Sequence, residues 1–171
     1  MANIRTSNGL RVLAIDPGYE RMGVAVIESP PRKKEELIYS NCFKTSSKLP
    51  YHVRLKMIGE EMVRLIDEFK PQICATETLF FTKNQKTAMM VAGARGVVLF
   101  TAASHELLLY EYAPLQIKIA ITGYGKSDKK HVAAMIEKLI DVHKDITYDD
   151  EYDAIAIGLT CIASEKSPLK P

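Results

Sequence analysis

Two runs made only of apolar residues, Val12-Leu13-Ala14-Ile15 and Val24-Ala25-Val26-Ile27, are separated by eight residues. A four-residue run with no polar position has no face to offer to water. It is too short for a buried helix and reads as a strand covered on both faces. The connecting segment, Asp16-Pro17-Gly18-Tyr19-Glu20-Arg21-Met22-Gly23, opens with turn chemistry. Asp16 therefore stands at the tip of a buried strand, next to an open cleft. A carboxylate there can hold a metal ion or orient a phosphate. The plainer alternative is a turn Asp that accepts hydrogen bonds from the next backbone amides.

The rest of the chain alternates strands and helices without a long linker. Strands are expected over 11–17, 22–29 and 37–44, close enough in sequence for an antiparallel meander. Apolar residues recur at helical spacing through Val53, Met57, Ile58, Met62, Leu65 and Phe69, up to Pro71. A fourth strand, Ile73-Cys74-Ala75-Thr76, ends at Glu77. A helix over 84–105, a fifth strand over 107–113, a short helix over 115–121 and helices over 127–141 and 150–164 follow. The order fits an α/β fold with a mixed five-stranded sheet, antiparallel in strands 1–3 and parallel in strands 4 and 5, with helices on both faces. Residues 11–165 are expected to form one domain, with 1–10 an extension and 166–171 a disordered tail.

Composition agrees with a soluble domain. The chain has 171 residues, of which 47% are hydrophobic and 26% charged, enough for a sizeable core. No signal-peptide core precedes the first strand, and no apolar stretch is read as reaching membrane-spanning length. Cys42, Cys74 and Cys161 are odd in number and form no CxxC pair. Reduced thiols in a cytoplasm are expected, without structural zinc. His52, His105, His131 and His143 are scattered and read as surface or interface residues rather than ligands. The net charge of +2 says little, but its distribution says more. Between Lys83 and Lys130, seven Lys and Arg face three acids, and between Asp141 and Asp153 six acids face one Lys. A basic middle beside an acidic knot suits phosphate contact around a metal site, although solvated helix faces give the same count.

Asp16 and Glu77 end two strands, and Asp150 and Asp153 lie three apart at the start of the last helix, on one of its faces. Capping of that helix is the alternative role for the acids of 149–153, and an isolated rim charge is the alternative for Glu77. If the first and fourth strands are neighbours, all four acids meet at one sheet end. Four carboxylates so placed cannot all stay ionised without a counter-ion. Hard divalent cations such as Mg²⁺ supply one, and two of them clamp the attacking and leaving oxygens of a phosphodiester. No Ser/His/Asp arrangement or G-x-S-x-G element offers a protein nucleophile.

Four segments carry a resemblance: Leu13-Ala14-Ile15-Asp16-Pro17-Gly18, Ala75-Thr76-Glu77-Thr78-Leu79-Phe80, Ala92-Gly93-Ala94-Arg95-Gly96, and Asp150-Glu151-Tyr152-Asp153-Ala154-Ile155-Ala156-Ile157-Gly158. With Gln116-Ile117-Lys118, they resemble the RuvC-type Holliday junction resolvases over about residues 11–164. The resemblance implies an RNase H-like fold, a homodimer, and Mg²⁺-dependent paired nicking of four-way DNA junctions in recombination and repair, with Mn²⁺ able to substitute. It implies branch-migration motor proteins as partners, and catalytic and metal-binding roles for Asp16, Glu77, Asp150 and Asp153. Some family members carry His at the position of Asp150, so an all-oxygen metal site is expected here. Phe80 matches the aromatic that wedges at junction bases; a buried core Phe is its other reading, with Phe81 then taking the outward role. Lys118 and Lys129 match basic residues near the active site, with Lys126 and Lys130 as alternatives to Lys129. Lys83, Lys86 and Arg95 complete the expected DNA contacts. The helix over 84–105 is expected to pair two copies through Ala88, Ala92, Gly93 and Gly96.

Three other readings compete. An actin-like ATPase also begins with an Asp-x-Gly strand–turn–strand but needs a second phosphate loop and a second domain. Another RNase H-like nuclease would share the strand-end acids and act on a different nucleic acid. A non-catalytic junction binder has no support from a chain that keeps all four acids.

Overall fold

The structure, a computed structural model, describes residues 9–78 and 85–166, the side chains of residues 85, 86 and 166 excepted. The elements run β1 (Leu10–Asp16), β2 (Arg21–Ser29), β3 (Glu36–Lys44), α1 (Tyr51–Phe69), β4 (Ile73–Glu77), α2 (Gln85–Ser104), β5 (Leu108–Tyr112), α3 (Pro114–Thr122), α4 (Lys129–Leu139) and α5 (Asp149–Lys166). The sheet order is β3-β2-β1-β4-β5. β1 to β3 form the expected antiparallel meander, and β4 and β5 pair in parallel beyond β1. The parallel register between β1 and β4 requires a crossover, and α1 provides it.

The apolar runs of β1 and β2 alternate between two cores, as the pleat dictates. Val12 and Ala14 of β1, Ala25 and Ile27 of β2, and Ile73 and Ala75 of β4 face α3, α4 and α5. Leu13 and Ile15, Val24 and Val26, and Cys74 face the other way, onto α1 and α2. The same parity carries Asp16 and Glu77 onto the α5 side of the sheet. Helix α5 lies across β1 and β2 at close range. A Cβ on Gly158 would stand 2.8 Å from Ile27 Cδ1 and 3.1 Å from Ala14 Cβ, so glycine there lets the helix seat on the strands.

Local chemistry ends the helices where the chain must turn. Lys70 closes α1 in the left-handed conformation and Pro71 follows, a combination that stops a helix. Pro114 opens α3 and Gly123 closes it with φ 73°. The Asp128 side chain caps α4 by accepting from the amide of His131.

Three expectations change. Leu10 belongs to β1, buried and paired with Ser29, rather than to an N-terminal extension. The stripe of α1 includes Arg54, buried at 5% exposure, because the turn described below gives its guanidinium partners. The segment Thr87–Ser104 of α2, with a mean hydropathy of 1.4, is long and apolar enough by length and composition to cross a membrane. Its Ala, Gly and Thr hide that character when only large apolar residues are counted. Cys42, Cys74 and Cys161 are free thiols and buried.

The seating of α5 predicts a specific sensitivity. Gly158→Val forces a branched side chain into Ile27 and Ala14, and is expected to cost about 1–3 kcal/mol through overpacking. Chemical denaturation followed by circular dichroism measures it, and an unchanged midpoint would mean that α5 does not rest on these strands.

Candidate active site

Asp16 and Glu77 are the last residues of neighbouring parallel strands, just beyond the pair Ile15 and Thr76. Both point to the side covered by α5, and the first turn of α5 comes down on them. Gly23 is the β2 partner of Asp16. A Cβ on it would collide with the backbone oxygen of Asp150 and lie 3.2 Å from Asp16 Cβ. A glycine is thus required where α5 meets the strand ends, and this close approach brings Asp150 and Asp153 to Asp16 and Glu77.

The electrostatics record the crowding. Asp16 keeps some surface open, yet burial of its carboxyl, then the charges of Asp153, Glu77 and Asp150, push its pKa up to about 7. Burial and then Asp153 also raise Glu77, with Lys129 and Lys118 pulling the other way. Asp153 is raised by burial first, against a hydrogen bond from Lys129. Lys129 Nζ donates to Asp153 Oδ2 at 3.0 Å and lies 3.7 Å from Asp149 Oδ2. Burial opposes its charge, but that hydrogen bond and the charges of Asp153, Asp149 and Asp16 outweigh it and raise its pKa.

Asp150 has a different cation. Arg21 Nε lies 3.2 Å from its Oδ2, but the buried oxygen has no hydrogen-bond partner. Among the described residues, no three acidic, His or Cys side chains converge tightly enough to enclose a metal ion. Asp150 and Asp153 lean instead toward Arg21 and Lys129. The donor set still fits a hard cation: four carboxylates at one sheet end, one of them with an orphaned buried oxygen.

Two further contacts brace the acids. Arg54 Nε donates to Thr45 Oγ1 at 2.8 Å, and that hydroxyl donates to the Tyr19 carbonyl at 2.5 Å. The guanidinium also lies 4.7 Å from the centre of the Tyr19 ring and 3.6 Å from Glu20 Oε1. This network holds the turn that follows Asp16. On the other side, Lys144 Nζ donates to the Ser40 carbonyl at 2.7 Å and pairs with the buried Glu151 at 2.6 Å. It ties the first turn of α5 to β3. Sequence reading passed over both contacts, because Arg54 sat on a stripe judged apolar and Lys144 lay inside an acidic segment.

The expected DNA contacts divide. Lys118 lies near enough to Glu77 to lower its pKa. Lys126 and Lys130 are exposed near the start of α4. Arg95 is engaged by Glu111 of β5 and its side chain is 17% exposed. Phe80, Phe81 and Lys83 lie outside the described residues, as does the side chain of Lys86.

The chain matches the profile of the family "Crossover junction endodeoxyribonuclease RuvC" over residues 12–161. It belongs to this RuvC family. The relative from Thermosipho melanesiensis is 42% identical over 156 residues, 91% of this chain and 98% of that one. The relative from Finegoldia magna is 43% identical over 157 residues, covering 92% and 95%. Among solved structures, the chain resembles Thermus thermophilus RuvC in complex with a Holliday junction substrate. That match has a TM-score of 0.82 and 30% identity, covering 88% of this chain and 92% of that one. A yeast mitochondrial Holliday junction resolvase shares the fold, with a TM-score of 0.68 at 12% identity.

The raised pKa of Asp16 sets a pH dependence for the metal-free chain. In the folded state Asp16 keeps a proton up to about pH 7, and unfolded it loses it above about pH 4. The folded state holds the extra proton in between, so stability falls as pH rises through that window. In chelator, the wild-type melting temperature is expected to fall between about pH 4 and pH 7 and to level off above that. Asp16→Asn cannot ionise and is expected to melt higher than wild type at the upper end, with a flatter profile. Parallel profiles would relieve Asp16 of this role.

Proposed function

We propose that this chain is a structure-specific DNA endonuclease that resolves four-way junctions by paired symmetric nicks. The observation that carries the reading is the convergence of Asp16, Glu77 and the first turn of α5 on one face at one end of the sheet. Membership of the RuvC family and the likeness to a RuvC bound to junction DNA support it. Asp16, Glu77, Asp150 and Asp153 would hold two divalent cations, with Mg²⁺ the natural choice for an all-oxygen site. When bound, such ions supply positive charge at the scissile phosphate and an ionised water at neutral pH. The four carboxylates fix the place of that charge. Lys129 and Lys118 stand beside the acids, ready to meet the negative charge that grows on the phosphate. Lys126 and Lys130 add non-specific backbone affinity. Phe80, by its place in the sequence, is the candidate for stacking on an opened base.

The symmetric substrate calls for two copies. Helix α2 buries Ala94, Val98 and Ala102 against its own chain but leaves Met89 75% and Phe100 73% exposed. Gly96, between them, has open space around it. Gly93 lies under the hydroxyl of Tyr51 in the same chain. We read the open face of α2 as the dimer contact, which gives two active sites related by a two-fold axis.

Nicking of a labelled four-way junction, with and without Mg²⁺, against linear duplex and RNA, tests the activity. Asp16→Asn and Glu77→Gln are expected to abolish cleavage and keep junction binding, since the lysines supply the affinity. Equal cleavage by either variant would overturn the site. Phe100→Glu is expected to convert a dimer to a monomer in light scattering and to uncouple the paired nicks. A dimer that survives this change would move the interface elsewhere.

A further inference from the structure

The first residue of β2, Arg21, and the last of β3, Lys44, are directly opposite each other in the antiparallel register. Opposed like charges on neighbouring strands are destabilising, so the sheet keeps this pair at a cost. Arg21 is half exposed and set against Asp150. Among the described residues Lys44 makes no ion pair. Its ammonium lies 3.6 Å from the centre of the Tyr148 ring, and the Arg21 guanidinium carbon 5.7 Å from the same ring. Tyr148 directly precedes α5, so the ring holds both cations at the lip of the acidic cleft. In sheet order Lys44 and Arg21 come first, then Asp16, then Glu77 with Lys118 near it. Cations thus flank the acids on both sides, and the β3 side owes its pair to Arg21 and Lys44.

We propose that Arg21, Lys44 and Tyr148 form a second phosphate-binding patch, which takes the DNA backbone on the β3 side of the acids. The inference rests on the nuclease reading and extends it to the path of the strand. A strand crossing the sheet end with one phosphate at the acids has neighbouring phosphates on either side. Lys118, near Glu77, stands on one side and this patch on the other. Arg21 has the planar fork that grips a phosphate, and Lys44 adds a compact charge. Tyr148 contributes by limiting the positions these long side chains can take.

Junction binding without divalent cations, measured across a salt series, tests the patch. Arg21→Met and Lys44→Met are each expected to lower the slope of log affinity against log salt by about one, and the double variant by about two. Between about 50 and 200 mM salt the double variant then loses about 10-fold less affinity than wild type. Lys44→Arg is expected to keep the wild-type slope. Melting curves show whether each variant folds. Junctions carrying a neutral methylphosphonate at single positions locate the contact. One position beside the cut is expected to weaken wild type and leave the double variant indifferent. An unchanged salt slope in a folded double variant, with wild-type binding intact, would overturn the patch alone. Failure of the wild-type chain to hold junction DNA would overturn the nuclease reading and the patch with it.

Discussion

Mutual repulsion among Asp16, Glu77, Asp150 and Asp153 is opposed by the packing of α5 on β1 and β2. The acids meet only because α5 seats its apolar face, including Ala154, Ile155, Ile157, Cys161 and Ile162, in the core on that side of the sheet. Each fully buried Ile contributes roughly 1.5–3 kcal/mol, so the helix face outweighs the cost of crowding a few carboxylates at its first turn. The small side chains at Ala14 and Gly158 set the helix height, and Gly23 lets its first turn reach Asp16. A larger residue at Ala14 or Gly158 moves the acids apart without touching them, and one at Gly23 strikes Asp150 and Asp16 directly.

The remaining repulsion falls to nearby cations, and their placement follows the topology. Lys129 comes from the helix beside α5 and takes Asp153 and Asp149. Arg21 comes from the strand next to β1 and takes Asp150. Asp16, in the middle, makes no ion pair among the described residues, and its pKa is pushed up to about 7. The turn after it is stiffened by Arg54, Thr45 and Tyr19, and the first turn of α5 by Lys144 and Glu151. The acids are therefore held from both sides by side chains that do not belong to the acidic set. That is what a site needs to stay preorganised.

Much of this was legible in the chain because two periods do the work. The alternation in Val12-Leu13-Ala14-Ile15-Asp16 and Ile73-Cys74-Ala75-Thr76-Glu77 fixes which face each strand-end acid takes, given neighbouring strands. The spacing of Asp150 and Asp153 puts them on one face of a helix. What sequence order hides is register. Arg21 and Lys44 are far apart along the chain, and a count of charges by segment placed the basic surface in 83–130 alone. Only the pairing of β2 with β3 makes them neighbours. The pairing of Arg95 is hidden too, because its partner, Glu111, lies on a different element. The partners of Arg54 and Gly93 are hidden for the same reason: a helix pattern shows which face a residue takes, but not that Thr45 or Tyr51 waits there.

Helix α2 shows how composition alone misleads. An apolar helix is buried in a core, in a bilayer or in an interface, and length and hydropathy do not distinguish these cases. The contacts do. One face carries Ala94, Val98 and Ala102 into the core beneath α1, and Tyr51 donates to the Met90 carbonyl at 2.6 Å. Arg95 joins Glu111 on β5 and fastens the same helix to the sheet. A charged pair and a neighbouring amphipathic helix are poor company for lipid. That leaves the face with Met89, Gly96 and Phe100, which is apolar, open at its centre and on the opposite side of the sheet from the acids. The proposed two-fold partner would cover that face and leave both acidic clefts free, so that a substrate with two equivalent strands would meet two equivalent sites.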